Sequence, residues 1–172
     1  NKILEVGAGN LNHVPYEKNY EIYDVVEPWS DLVSTSIYNS DIDNKYNYLS
    51  EIKDKTYNRI ISIFTFEHLE NLPKDIELIN NILTKNGILQ VAIPCEGELA
   101  FKIGWMFTTG LMFRIRYGLD YSKIMKYEHI NTLDEIVILL RHCFSNIKIL
   151  RSPLILPLKN LSFYCYIECH NN

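Results

Sequence analysis

The sequence predicts an α/β domain built on a mainly parallel sheet. Three features predict it: four uninterrupted apolar runs rich in β-branched residues, helical patterns between and after them, and a glycine turn that closes the first run. Strands buried on both faces read as continuous apolar runs, whereas half-exposed antiparallel strands alternate.

Residues 2–6 form the first strand, which ends in Gly7. Residues 21–27 (EIYDVVE) form a second, stopped by Pro28; residues 57–64 (YNRIISIF) a third; residues 87–93 (GILQVAI) a fourth, stopped by Pro94. Between the last two, Pro73 suits a first helical turn, Ile76, Ile79, Ile82 and Leu83 keep helical spacing, and Asn86-Gly87 supplies the stop. Thr132 and Glu135 have capping-box spacing, and Ile136, Leu139, Leu140 and Cys143 then line one face of a last helix. Strands are expected at 146–150 and 161–168. In the latter, Phe163, Cys165, Ile167 and Cys169 alternate with Tyr164, Tyr166 and Glu168. Residues 95–127 break the rhythm, carrying Trp105, Phe107 and Phe113 without a period. An insertion at the carboxyl edge of a parallel sheet sits where ligands bind, so this stretch is expected to cap a site.

At 172 residues, 47% hydrophobic and 22% charged, the chain suits one domain and excludes a disordered or collagen-like class. A net charge of −4 gives no global signal for nucleic acid or an anionic membrane, so neither is an expected partner. Four cysteines without CxxC spacing fit reduced thiols in a cytoplasmic protein. The longest apolar stretch, residues 103–113, falls short of the ~20 residues a membrane span requires. No secretory signal is visible. Because the chain opens on Asn1 directly into a strand, an upstream helix is expected to be missing.

The chain has only 7 glycines, yet Gly7 and Gly9 fall in one turn. Such a turn needs positive φ, and a ligand approaching the backbone leaves no room for a Cβ. Twenty residues past Gly7, at the end of the second strand, Glu27 can accept both hydroxyls of a ribose. Together these residues describe a nucleoside site. The dinucleotide pattern GxGxxG is not completed, since Asn12 holds its third position and Pro15 disturbs a long helix. A nicotinamide-dependent oxidoreductase is the weaker alternative for that reason.

At this loop, ILEVGAGN, the sequence resembles the class I S-adenosylmethionine-dependent methyltransferases. Further blocks follow in the family's order: Ser40-Asp41-Ile42 at the third-strand position, Phe64-Thr65-Phe66-Glu67-His68-Leu69, the stretch LTKNGILQVAIP, and Glu128-His129-Ile130-Asn131 before Thr132. The family's frequent third glycine is Leu11 here, and the helix after the loop is short. The resemblance implies a Rossmann-like three-layer sandwich, with a mainly parallel seven-stranded sheet ending in a C-terminal antiparallel hairpin. It implies S-adenosylmethionine as cofactor, with Gly7, Ala8, Gly9 and Asn10 in the loop, Glu5 toward the methionine amino group, and Glu27 at the ribose. Pro28, Trp29, Asp41 and Ile42 would surround the adenine, and Phe64 and Thr65 would end the fourth strand at the cofactor edge.

Methyl transfer from a sulfonium is an in-line displacement in which the protein aligns the groups and removes a proton where the acceptor carries one. His68 and His129 are the candidate bases, because imidazole exchanges protons near neutrality, and Glu67 stands beside the first. No metal is needed, and no ligand spacing suggests one. Between 102 and 126, Lys102, Arg114, Arg116, Lys123 and Lys126 face a single acid, Asp120. This excess suits an anionic acceptor held by Arg114 and Arg116, such as a phosphorylated or nucleotide-linked sugar, so the expected acceptor is a small molecule or of glycan type. A binding module that keeps the pocket without the chemistry is the third reading.

Overall fold

The computed structural model describes residues 1–95, 109–118, 127–152 and 162–171. Strands β1 (Lys2–Val6), β2 (Ile22–Val26), β3 (Asn44–Tyr46), β4 (Tyr57–Ile63), β5 (Leu83–Pro94), β6 (Asn146–Ser152) and β7 (Tyr164–His170) form one sheet in the order β3-β2-β1-β4-β5-β7-β6. The first five run parallel. The last two form the antiparallel hairpin, with β7 inserted between β5 and β6.

Alternate side chains of the central strands go to opposite faces and found two cores. On one face Leu4, Val6, Ile60, Leu89 and Val91 pack against α2 (Leu72–Ile82) and α4 (Leu133–Cys143), through Leu72, Ile76, Ile79, Ile136 and Leu140. On the other, Ile3, Tyr23, Val25 and Ile61 pack against Ala8, Leu11, Val14 and Val33, the last from α1 (Ser30–Ser34). Each such isoleucine or leucine, fully buried, contributes about 1.5–3 kcal/mol. The three layers and the terminal hairpin are those the sequence predicts.

Helix α4 begins with the expected reciprocal box: Thr132 Oγ1 accepts from the Glu135 N–H at 3.3 Å, while the Glu135 carboxylate accepts from the Thr132 N–H at 2.8 Å. In β7, Cys165, Ile167 and Cys169 are buried on one side, as the alternation requires. Position 161 lies outside the described residues.

Four expectations are corrected. Leu83 is the first residue of β5, opposite Tyr57, and does not belong to the preceding helix. Asn86-Gly87 is a bulge within that strand: Asn86 takes φ +63°, and the pairing jumps from Tyr57–Leu83 to Arg59–Ile88. A helix does not follow the glycine loop; Pro15 sits in a single 3₁₀ turn, Val14–Tyr16. Residues 40–42 are not strand either, because Asn39–Asp41 forms a 3₁₀ turn and β3 starts only at Asn44.

Within the expected cap, α3 (Thr109–Tyr117) is described, with Met112 and Ile115 exposed and the Phe113 and Tyr117 rings 4.7 Å apart. Lys102, Trp105, Phe107, Asp120, Lys123, Lys126 and the side chain of Arg114 lie outside the described residues. No described helix is long and apolar enough to cross a membrane.

Candidate cofactor and acceptor site

The chain leaves β1 through Gly7 at φ +75° and Gly9 at φ +50°, both in the left-handed region. The Gly7 N–H donates to Val26 O at 2.8 Å, which ties the loop to the tip of β2. A Cβ on Gly7 would lie 2.1 Å from Thr65 Oγ1, so the Thr65 side chain occupies the space that glycine leaves. Leu11, at the position where the related motif often has glycine, keeps the left-handed backbone at φ +62° and buries its side chain completely under the loop.

Glu27, just beyond β2, is fixed by the same loop. Its Oε2 accepts from the Gly9 N–H at 2.8 Å and its Oε1 from the Trp29 N–H at 3.0 Å. Two oxygens offer about four lone-pair sites, so acceptor capacity remains for hydroxyls.

A cleft of about 600 Å³ opens beside this carboxylate at the carboxyl ends of the strands. One wall is Val6, Gly7, Val26, Glu27, Pro28 and Trp29. Asn47, Tyr48, Leu49 and Ser50, just after β3, form the second, and Phe64, Thr65, His68 and Leu69, after β4, the third. Asn71, just before α2, and Lys74, Asp75 and Leu78 on it close the cleft. Its size suits a cofactor-sized ligand. Trp29 is 75% exposed and so belongs to no core.

Of the residues anticipated from sequence, Gly7, Glu27, Pro28, Trp29, Phe64, Thr65 and His68 meet in this cleft. Ala8, Gly9 and Asn10 shape the loop behind it: Ala8 packs into the core, and the Asn10 carbonyl accepts from the Ser36 hydroxyl. Glu5 is 3% exposed and accepts from the Tyr23 hydroxyl at 2.8 Å. Burial, with the Glu27 charge adding to it, pushes the Glu5 carboxyl up to about 7 against the Tyr23 hydrogen bond. Asp75, half-buried on α2, is also raised by burial, with Lys74 opposing.

Asp41 and Ile42 are not at the cleft. They precede β3, and the adjacent Asp43 accepts from the N–H of Tyr23 near the start of β2, at the opposite end of the sheet. Residues 47–50 take the place expected for them. The signal available was the break after the short polar strand NKY, since ligands bind beyond strand ends. Asn71 and the three α2 residues carry no sequence signal of their own.

Phe64 has φ +54°, uncommon for an aromatic residue, and its ring lies 5.4 Å from that of Tyr164. Beyond it, Phe66–His68 forms a 3₁₀ turn. His68 Nδ1 lies 2.8 Å from Glu128 O, and its ring meets that of His129 edge to face at 4.5 Å. Glu67 is buried and, with His129, lines a separate cavity of about 60 Å³. The Glu67 carbonyl accepts from the N–H groups of Ile130 and Asn131, and the Asn131 amide donates to Phe66 O and Leu69 O. Among the described residues, no group of three His, Cys, Asp or Glu side chains could hold a metal.

No family model matches the chain, and no curated protein matches it in sequence. Solved structures do. The plantazolicin methyltransferase BamL, in complex with a triazolic desmethylPZN analog and SAH, superposes with a TM-score of 0.74 at 10% identity, covering 99% of this chain and 77% of that one. A SAM-dependent methyltransferase from Archaeoglobus fulgidus gives 0.69 at 13% identity, covering 99% and 86%. The possible histamine N-methyltransferase from Thermotoga maritima gives 0.67 at 14%, covering 99% and 82%. Sheet order, terminal hairpin and these superpositions agree: the chain has the class I fold of the S-adenosylmethionine-dependent methyltransferases.

Proposed function

We propose that the protein is an S-adenosylmethionine-dependent methyltransferase acting on a small-molecule acceptor. The observation that carries this reading is the Glu27 carboxylate, held by two backbone N–H groups at the wall of a cleft that a glycine loop borders. Such a carboxylate, pre-oriented and with lone pairs to spare, suits the two hydroxyls of a ribose. Tyr48, Leu49 and Trp29 then offer the faces for an adenine, and Gly7 and Thr65 border the methionine end. When bound, the cofactor supplies an activated methyl group on a sulfonium. The chain supplies alignment, exclusion of water and a path for the acceptor's proton.

The acceptor reaches the cleft past Phe64 and His68, the exposed side of the strand end. Arg116, exposed on α3 with its guanidinium 5.5 Å over the Tyr117 ring, is a described basic group for an anionic or sugar-linked acceptor.

Calorimetric titration with S-adenosylmethionine, S-adenosylhomocysteine and NAD tests the reading on the wild type and on Glu27→Ala. Both sulfur nucleosides are expected to bind and NAD to fail. Glu27→Ala is expected to weaken binding on the order of 100-fold, the loss of charge-assisted bonds to ribose. Binding of NAD alone, or unchanged affinity in Glu27→Ala, overturns it. Release of S-adenosylhomocysteine with an acceptor separates an enzyme from a binding module.

A further inference from the structure

The histidine at the cleft has a fixed tautomer. A backbone carbonyl only accepts hydrogen bonds, so the 2.8 Å contact between His68 Nδ1 and Glu128 O places the ring proton on Nδ1. In the neutral imidazole the lone pair then sits on Nε2. Among the described residues none hydrogen-bonds to that nitrogen, and the ring lines the cleft.

The ring is held from two sides. His129 packs against it edge to face, and four further hydrogen bonds join residues 66–69 to Ile130 and Asn131. A ring flip would exchange the carbonyl contact for none, so the orientation is set by the backbone of a segment sixty residues away in sequence. His129 lines the smaller cavity instead, which leaves His68 as the imidazole at the reacting edge.

We propose that His68 is a catalytic residue, a general base acting through Nε2, and that the acceptor is a hydroxyl or an amine. This rests on the methyltransferase reading. The acceptor oxygen or nitrogen bonds to the methyl carbon as the carbon–sulfur bond breaks, and that electron pair stays on sulfur. The acceptor's proton passes to Nε2, and the imidazolium, still bonded to Glu128 O, releases a proton to solvent through its exposed edge. A thiol ionises far more readily than an alcohol and gains little from such a base, so the arrangement is selective for acceptors that hold their proton.

The first test needs no acceptor. Long-range proton–nitrogen spectra of the ¹⁵N-histidine-labelled protein, with His68 assigned by its loss in His68→Gln, are expected to show the Nδ1–H tautomer; an Nε2–H tautomer overturns the proposal. The second follows S-adenosylhomocysteine release with a panel of small alcohols, amines and thiols. Glutamine keeps an N–H for the Glu128 carbonyl but takes no proton. His68→Gln is therefore expected to lower turnover of alcohols or amines relative to thiols by about 10²–10⁴-fold, with unchanged thermal unfolding. An equal loss on all acceptors, or methylation of thiols alone by the wild type, overturns it. Failure of the sulfur nucleosides to bind overturns the underlying reading instead, and calorimetry reports that separately.

Discussion

At the amino ends of the strands, left-handed backbone falls on Asn19, Asp54 and Asn86; at the carboxyl ends it falls on Gly7, Gly9, Leu11 and Phe64. Asn and Asp adopt this region at small cost, glycine at almost none, but leucine and phenylalanine give up about 1–3 kcal/mol each. Two buried carboxylates, one register step apart on opposite faces of the sheet, also differ. Asp24 is fully buried and accepts from Asn44 Nδ2, Lys55 Nζ and the Tyr57 hydroxyl, a closed arrangement that knits β2, β3 and β4 together. Glu5 has a single hydrogen bond, from Tyr23, and a carboxyl raised to about 7. The cleft end of the sheet keeps the unfavourable backbone, and of the two carboxylates Glu5, with the single hydrogen bond, keeps the raised titration.

Substitutions that act on one end and spare the other test this contrast. The largest effect is expected from Asp24→Ala, which strands the buried Tyr57 hydroxyl and removes the partner of the more exposed Asn44 amide and Lys55 ammonium, and should cost about 3 kcal/mol in urea unfolding. Cofactor affinity should stay within about twofold, since Asp24 does not line the cleft. A large loss of binding would mean that the two ends are not separable.

Glu5→Gln is expected to stabilise the protein in alkali. The folded protein holds the Glu5 proton up to about pH 7, whereas the free group loses it near 4.5. Between these values the native state binds more protons than the unfolded chain, so the Glu5 contribution falls as pH rises and is fully present only below about 4.5. Glutamine still accepts the Tyr23 hydroxyl bond. Variant and wild type should match at pH 4 and differ by on the order of 3 kcal/mol at pH 8 in the variant's favour. A constant offset between the two unfolding curves would contradict this.

The smallest change is expected at Phe64. Truncating an ordinary buried phenylalanine costs about 3–5 kcal/mol. Phe64→Gly should cost less than about 1 kcal/mol, because relief of the left-handed backbone offsets the loss of a ring that is 44% exposed. A full-sized loss in denaturant titration would show that the ring, and not the cleft, accounts for that backbone.

The same division decides how much could be read from the amino acids. The runs forming β1, β2, β4 and β5 are legible because burial on both faces demands apolar side chains, and Gly7 and Gly9 are legible because their backbone demands glycine. β3 is not: it is three residues, Asn44-Lys45-Tyr46, at a solvated sheet edge where no apolar pattern is required. The acidic residue expected there, Asp41, falls too early in the chain, which enters the cleft at Asn47. Leu83 reads as helix because its spacing from Ile79 is helical, and only pairing with Tyr57 reassigns it. Phe64 is the hardest, since its conformation runs against its own residue type.

The bracket made by Asn131 also says something about how such a domain can diversify. It fastens the point where the chain returns to the sheet, with one amide reaching both Phe66 O and Leu69 O. The stretch between Cys95 and Tyr127 therefore enters from a strand in the sheet and leaves into a clamped turn. Exchanging that stretch for another of different length leaves both anchor points where they are.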